Sequence, residues 1–166
     1  MARFASVLGL LLAAGCAQSA VDAPRPSLRA DFVLVDKSDR TLSLFSGGQL
    51  LRTYRGLQLG GSPDGHKRFQ GDQRTPEGRY TIDTRNPASA YHLSLRISYP
   101  SEADRSYAEA RGRSPGGDIF IHGQPNWLPA GRLHGDWTDG CIALANSEIE
   151  ELWELVPDGT AVQVRP

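Results

Sequence analysis

Residues 117–146 read GDIFIHGQPNWLPAGRLHGDWTDGCIALAN. The stretch opens on Ile119, Phe120 and Ile121, apolar β-prone residues whose run stops at His122-Gly123. It closes on Thr138-Asp139-Gly140-Cys141, followed by a second apolar run from Ile142 to Ala145. Between them lies a loop with Gly, Pro, Asn and two Trp. An imidazole and a thiol are thus each placed at a strand end beside a glycine. That pair can serve as base and nucleophile: the thiolate, not the thiol, attacks, and an adjacent imidazole is a common way to make one.

Outward from this stretch the same texture recurs, with short apolar runs broken by Gly, Pro, Asn and Asp. Asp31 to Asp36 and Thr41 to Phe45 read as strands joined by a turn, with Leu42 and Leu44 facing the core and Thr41 and Ser43 opposite. Gly47-Gly48 turns the chain into a strand from Leu50 to Leu59. Gly60 to Gly78 reads as loop, and His66 within it as a solvated side chain. Arg79 to Asp83 is a strand, Asn86 to Tyr91 a turn region, and His92 to Tyr99 a well-alternating strand. Ser101 to Arg113 reads as a helix with Asp104 at the capping-box position, and Asn146 or Ser147 caps a second one. In that second helix Ile149, Leu152, Trp153 and Val156 form one apolar stripe. Ala161 to Val164 is a last strand. The expectation is a mainly β domain with two short helices.

The chain has 166 residues and a net charge of −1, enough for one domain plus appendages. That balance forces no basic face, and nucleic-acid binding is excluded as a main role. The first twenty residues differ in kind. Arg3 precedes an almost wholly apolar run from Phe4 to Ala14, too short to span a bilayer and right for a signal-peptide core. It ends in Leu12-Ala13-Ala14-Gly15-Cys16, which resembles a bacterial lipobox, with Cys16 the lipidated residue; ordinary cleavage near Ala17 or Ala20 is the alternative. The expected organisation is a signal peptide over 1–20, a linker over 21–30 and a catalytic domain over 31–166. The expected location is the periplasm, with a lipid anchor in a membrane. Cys16 and Cys141 are the two cysteines. With Cys16 lipidated or removed, Cys141 has no internal disulfide partner, so it is either buried and inert or kept because it reacts.

His122-Gly123 followed by Thr138-Asp139-Gly140-Cys141-Ile142 resembles the active-site signature of the L,D-transpeptidase (YkuD-like) catalytic domain. The opening VLVDKSDRTLSLFSGGQLLRTY looks like that family's first hairpin, and GDQRTPEGRYTI like its Thr-Pro-x-Gly segment. The resemblance implies a mixed β-sandwich or barrel-like fold and peptidoglycan stem peptides as partner, with no cofactor and no metal. Cys141 would attack the bond between diaminopimelate and D-Ala in a tetrapeptide stem, releasing D-Ala; a second stem's amine would then resolve the thioester. His122 would be general base and acid, and the backbone N–H groups of Gly140 and Cys141 the oxyanion hole. Asp139 would help to orient His122, with His134 an extra base or substrate contact. Gly123, Thr138 and Trp137 would bind substrate. Two positions depart from the family pattern: Asp139 stands where His is common, and Ala143 where Arg is common. Asp136 and Asp139 would raise the thiol pKa if they approached it, and Arg132 could offset them.

Three rival readings use the same residues. Water could replace the amine, giving an L,D-carboxypeptidase or a hydrolase acting on a wall-protein linkage. The domain could be a peptidoglycan-binding lipoprotein without turnover. Or His122, His134, Asp136, Asp139 and Cys141 could gather around zinc.

Overall fold

The computed structural model describes residues 28–166. The signal peptide, Cys16 and most of the expected linker lie outside the described residues. Ala30 is buried and its N–H donates to Leu155 O at 2.8 Å, so the domain begins one residue before the expected boundary.

Eight strands and two helices follow in the order β1 (Phe32–Asp36), β2 (Thr41–Ser46), β3 (Gln49–Arg55), β4 (Gly78–Ser89), β5 (His92–Ile97), α1 (Glu102–Glu109), β6 (Phe120–His122), β7 (Ile142–Ala143), α2 (Asn146–Leu155) and β8 (Ala161–Arg165). The strands form one sheet in the order β3-β2-β1-β8-β4-β5-β6-β7. The alternation of the opening hairpin works as expected: Val33, Val35, Leu42 and Leu44 are wholly buried. β8 then enters beside β1, parallel to it, and pairs antiparallel with β4 on its other side. The last strand of the sequence is therefore a central strand of the sheet.

β4 is longer than the expected Arg79–Asp83 strand and continues through the expected turn at Asn86. Gly78 to Thr81 pair with β8, and Ile82 to Ser89 pair with β5. Register shifts fall between Ile82 and Thr84 and between Asn86 and Ser89. A bulge bends a strand and increases its twist, and it also accommodates Pro87, which cannot donate to a ladder. Both halves of the sheet supply one core, with Val33, Leu44 and Val162 from one and Leu95, Ile121 and Ile142 from the other. The sheet is not closed into a barrel, which corrects the barrel-like half of the expectation. β3 ends at Arg55 rather than Leu59, because Gly56 takes a positive φ of 70°. Beyond it, isolated bridges join Gln58 to Ala143 and Gly60 to Thr138.

α1 has the capping box that Ser101 and Asp104 foretell: Asp104 N–H donates to Ser101 Oγ at 3.2 Å, and Ser101 N–H to Asp104 Oδ2 at 2.9 Å. The helix is shorter than expected, ending at Glu109. α2 is capped differently. Its N-cap is Ala145, whose N–H donates to the Glu148 carboxylate at 2.9 Å. Asn146 is the first helical residue, and its Oδ1 accepts from Gln124 N–H at 2.8 Å. The stripe packs as expected on β5, with Ile149, Leu152 and Val156 buried and Trp153 partly so.

Candidate functional site

Parallel pairing of β6 with β7 sets Ile121 against Ile142 and His122 against Ala143. Side chains alternate along a strand, so Cys141, one residue before β7, lies beside Phe120 and shares a face with His122. Phe120 N–H lies 3.4 Å from Cys141 Sγ, and Sγ lies 3.6 Å from Asp118 O. The short β6 thus carries His122 at one end and holds the thiol against its backbone at the other.

His122 Nδ1 is 2.6 Å from Gly123 O. A carbonyl only accepts, so Nδ1 carries the proton and Nε2 keeps its lone pair. The ring is packed against Tyr91, centroids 4.7 Å apart, and Trp137, at 5.7 Å. His122 is only 3% exposed, and this burial pulls its pKa down to about 4, the Gly123 carbonyl opposing the shift. Burial likewise pushes the Cys141 thiol up; the Phe120 N–H and Lys67 oppose the rise, and Asp139 and Asp118 add to it. The resting pair is a neutral imidazole and a neutral thiol. In such a pair, a thiol that attacked would give up its proton during the attack, since none is stored beforehand on the ring.

Gly123 and Gly140 are glycines for steric reasons. A Cβ on Gly123 would meet Asn146 Oδ1 at 2.6 Å. One on Gly140, whose φ is +128°, would meet Arg74 O at 2.5 Å. Thr138 is buried and organises the turn before the thiol: its Oγ1 donates to Cys141 O at 2.8 Å and accepts from Gly140 N–H at 3.2 Å. Of the two backbone N–H groups expected to receive an oxyanion, Gly140's is engaged with Thr138.

Two hollows adjoin the thiol. The larger, about 540 Å³, is lined by Lys67, Gln70, Ser114, Asp118 and Asp139 as well as Cys141. The smaller, about 300 Å³, is lined by Asn86, Ser89, Tyr91, Ser94, Phe120, Asp118 and Cys141. Cys141 and Asp118 border both.

The remaining expected residues divide. Asp139 is exposed on the wall of the larger hollow, while the carbonyl that orients His122 is Gly123's. His134 is exposed and lines neither hollow. Asp136 is turned to Arg40 Nη1, at 2.6 Å, and to Leu59 N–H, at 2.8 Å. Arg132 bonds Glu148 and the carbonyls of Gly56 and Arg55, so its charge is taken up away from the thiol. Among the described residues no group of three or more His, Cys, Asp and Glu is placed to hold a metal ion. His66 is not a solvated side chain: it accepts from Glu77 N–H at 2.8 Å and lies 2.8 Å from Asp104 Oδ1, tying its loop to α1.

Sequence reasoning missed Lys67 and Tyr91. Lys67 is buried, bonded to Asp72 at 2.9 Å, and is the cation on the wall of the larger hollow. Its setting among Asp64, Arg68 and Asp72 looks like an ordinary solvated loop. Tyr91 gave a turn signal, and only the β4–β5 hairpin brings it over His122.

A thiol one residue before β7 and a neutral imidazole on neighbouring β6, with two hollows at the thiol, make a candidate cysteine-histidine site on a mainly β domain. The YkuD family, the L,D-transpeptidase catalytic domain, matches residues 30–164, and the chain belongs to it. YafK of Escherichia coli (strain K12) is 28% identical over 131 residues, covering 75% of this chain and 46% of YafK. The helical cell shape determining protein Pgp2 of Campylobacter jejuni is 30% identical with a TM-score of 0.65, covering 82% of this chain and 47% of Pgp2. Bd1075 of Bdellovibrio bacteriovorus is 27% identical with a TM-score of 0.56, covering 83% of this chain and 48% of Bd1075. The chain spans about half the length of these relatives.

Proposed function

We propose that this chain is a peptidoglycan L,D-transpeptidase acting through a Cys141 thioester in the cell wall. Sγ attacks the carbonyl that joins the L-centre of diaminopimelate to D-Ala, and His122 Nε2 takes the thiol proton. The tetrahedral intermediate collapses with cleavage of the C–N bond, and the imidazolium returns its proton to the departing D-Ala amine. An amine of a second stem then attacks the thioester and restores the thiol. Because Gly140 N–H is engaged with Thr138, we assign the oxyanion contact to Cys141 N–H. The observation that carries the reading is the 2.6 Å contact of His122 Nδ1 with Gly123 O, which leaves Nε2 its lone pair on the face that Cys141 shares. The second hollow at the thiol supports transfer over hydrolysis, since it offers an acceptor somewhere to sit. Export, with Cys16 lipidated and the domain held at a periplasmic membrane surface, belongs to the same proposal.

The test is intact-mass analysis of the purified protein with a diaminopimelate-D-Ala tetrapeptide stem and, separately, with a carbapenem. The expected results are a tripeptide-acyl adduct with release of D-Ala, a carbapenem adduct, and neither adduct in Cys141→Ala. Cross-linked dimers mark transfer; free tripeptide alone marks the hydrolase. No adduct from a Cys141 that iodoacetamide still alkylates would refute thiol catalysis.

A further inference from the structure

Beside the larger hollow lies a cluster of three arginines mounted on two aromatic rings. The Arg68 and Arg111 guanidinium carbons lie 4.4 and 3.6 Å from the Tyr107 ring centroid. That of Arg113 lies 3.8 Å from the Phe69 centroid, and the two rings are 6.0 Å apart. Arg111 also donates to Tyr107 O at 3.0 Å. The arginine of α1, Arg105, pairs with Glu102, and Arg52, Arg96, Arg132 and Arg165 all pair with carboxylates. Among the described residues, none of the three clustered arginines has a carboxylate within ion-pair distance. Stacking occupies the face of a guanidinium and fixes its plane, while the in-plane N–H fork stays suited to a carboxylate.

This cluster is continuous with the wall of the larger hollow. Gln70 N–H donates to Ser114 O at 2.9 Å, joining the segment that carries Arg68 and Phe69 to the one that carries Arg113. Gly116 lies so close that a Cβ there would be 3.2 Å from Gln70 Cα. Gln70, Ser114 and Gly116 themselves line the hollow, together with Lys67 and Cys141. The same two zipped segments therefore carry both the wall and, one to three residues from its Gln70 and Ser114, the basic rim. Of the two carboxylates on that wall, Asp118 lies 3.8 Å from Arg96 Nη1.

We propose that Arg68, Arg111 and Arg113 form a docking surface for the free carboxylates of the stem peptide entering the larger hollow. The proposal rests on the L,D-transpeptidase reading and adds the residues that choose the ligand's charge. A diaminopimelate-D-Ala stem carries a free carboxylate on the D-centre of diaminopimelate and another at its D-Ala terminus, so its charge complements the rim. Ala143, where the family often has Arg, contributes no cation, and the rim supplies positive charge from a different part of the fold.

The experiment measures stem affinity in the full chain carrying Cys141→Ala, with and without Arg111→Gln and Arg113→Gln together. The probes are the tetrapeptide stem and its carboxylate-amidated form. Two exposed guanidinium contacts should make binding of the free-carboxylate stem about fivefold to tenfold tighter at low salt, and raising the salt should erase the difference. Amidation should weaken binding to the Cys141→Ala protein by a similar factor and have little effect in the arginine-substituted one. Equal affinities in all four pairings, or no measurable stem binding, would overturn the proposal. Anionic-phospholipid vesicles are a third probe: loss of vesicle binding with unchanged stem affinity would overturn it and reassign the rim to a membrane surface. Carbapenem acylation, measured with Cys141 intact, separates this proposal from the reading beneath it. A carbapenem also carries a carboxylate, so its acylation should slow by no more than about fivefold to tenfold in the double arginine variant and still reach one adduct per chain. A chain that carbapenem never acylates, yet that shows the expected stem affinities, would leave the docking surface standing and remove the thiol chemistry.

Discussion

Replacing His122 with Gln should flatten the acid side of the protein's stability profile. The buried imidazole has a folded pKa of about 4, against about 6.5 for an unperturbed His. Because the folded value is the lower one, the unfolded chain binds the proton more readily, and protonation favours unfolding. The stability tied to the neutral ring is complete above about pH 6.5 and falls as pH drops toward 4. The full difference corresponds to roughly 3 kcal/mol at one pKa unit per 1.36 kcal/mol, and about 2 kcal/mol of it is lost between pH 7.5 and pH 5. The carboxylates with lowered pKa values, Asp36, Asp72 and Asp104, act in a separate window, since their contributions fade only below the ordinary carboxylate range. The assay is urea unfolding of the wild type and His122→Gln at both pH values. The packing change in the variant shifts both of its curves alike and drops out of the pH difference. The wild type should lose about 2 kcal/mol more than the variant over this interval. Equal pH differences in the two proteins would mean that the ring titrates as if in water, and the neutral-pair argument would fall with it.

Other perturbations test other parts of the site. Tyr91→Ala uncovers one face of His122, so its pKa should rise toward the unperturbed value in an NMR titration and the acid limb of carbapenem acylation should move up with it; an unmoved titration would deny Tyr91 that role. Gly140→Ala places a Cβ 2.5 Å from Arg74 O at a φ of +128°, and should cost roughly 2 kcal/mol or more in urea unfolding together with most of the acylation rate. Ser101→Ala removes the acceptor for Asp104 N–H and should cost about 1 kcal/mol while leaving acylation intact, a contrast that separates the α1 cap from the site.

Much of this protein was legible in its order of residues. The alternation of Val33, Val35, Leu42 and Leu44 placed the first hairpin and its buried face. Ser101 and Asp104 announced α1, and His122 and Cys141 stood out because each ends a strand beside a glycine. These are local signals: a two-residue period, a cap three residues long, a turn that only glycine can make. What the sequence could not determine was which distant segments become neighbours. The final strand lies between β1 and β4, and no local pattern in Ala161 to Arg165 says so. Asn86 to Tyr91 read as a turn region, yet β4 runs on to Ser89 through a register shift. Tyr91 and Trp137 reach His122 from two other parts of the chain, and burial among them, not the motif, keeps the imidazole neutral. Lys67 looked solvated until the fold buried it in the wall beside the thiol. The sequence named the candidate thiol and imidazole because strand ends and turns are written locally. Their protonation, their orientation and the charge of the surface leading to them depend on burial and on contacts between remote segments, which tertiary packing alone sets.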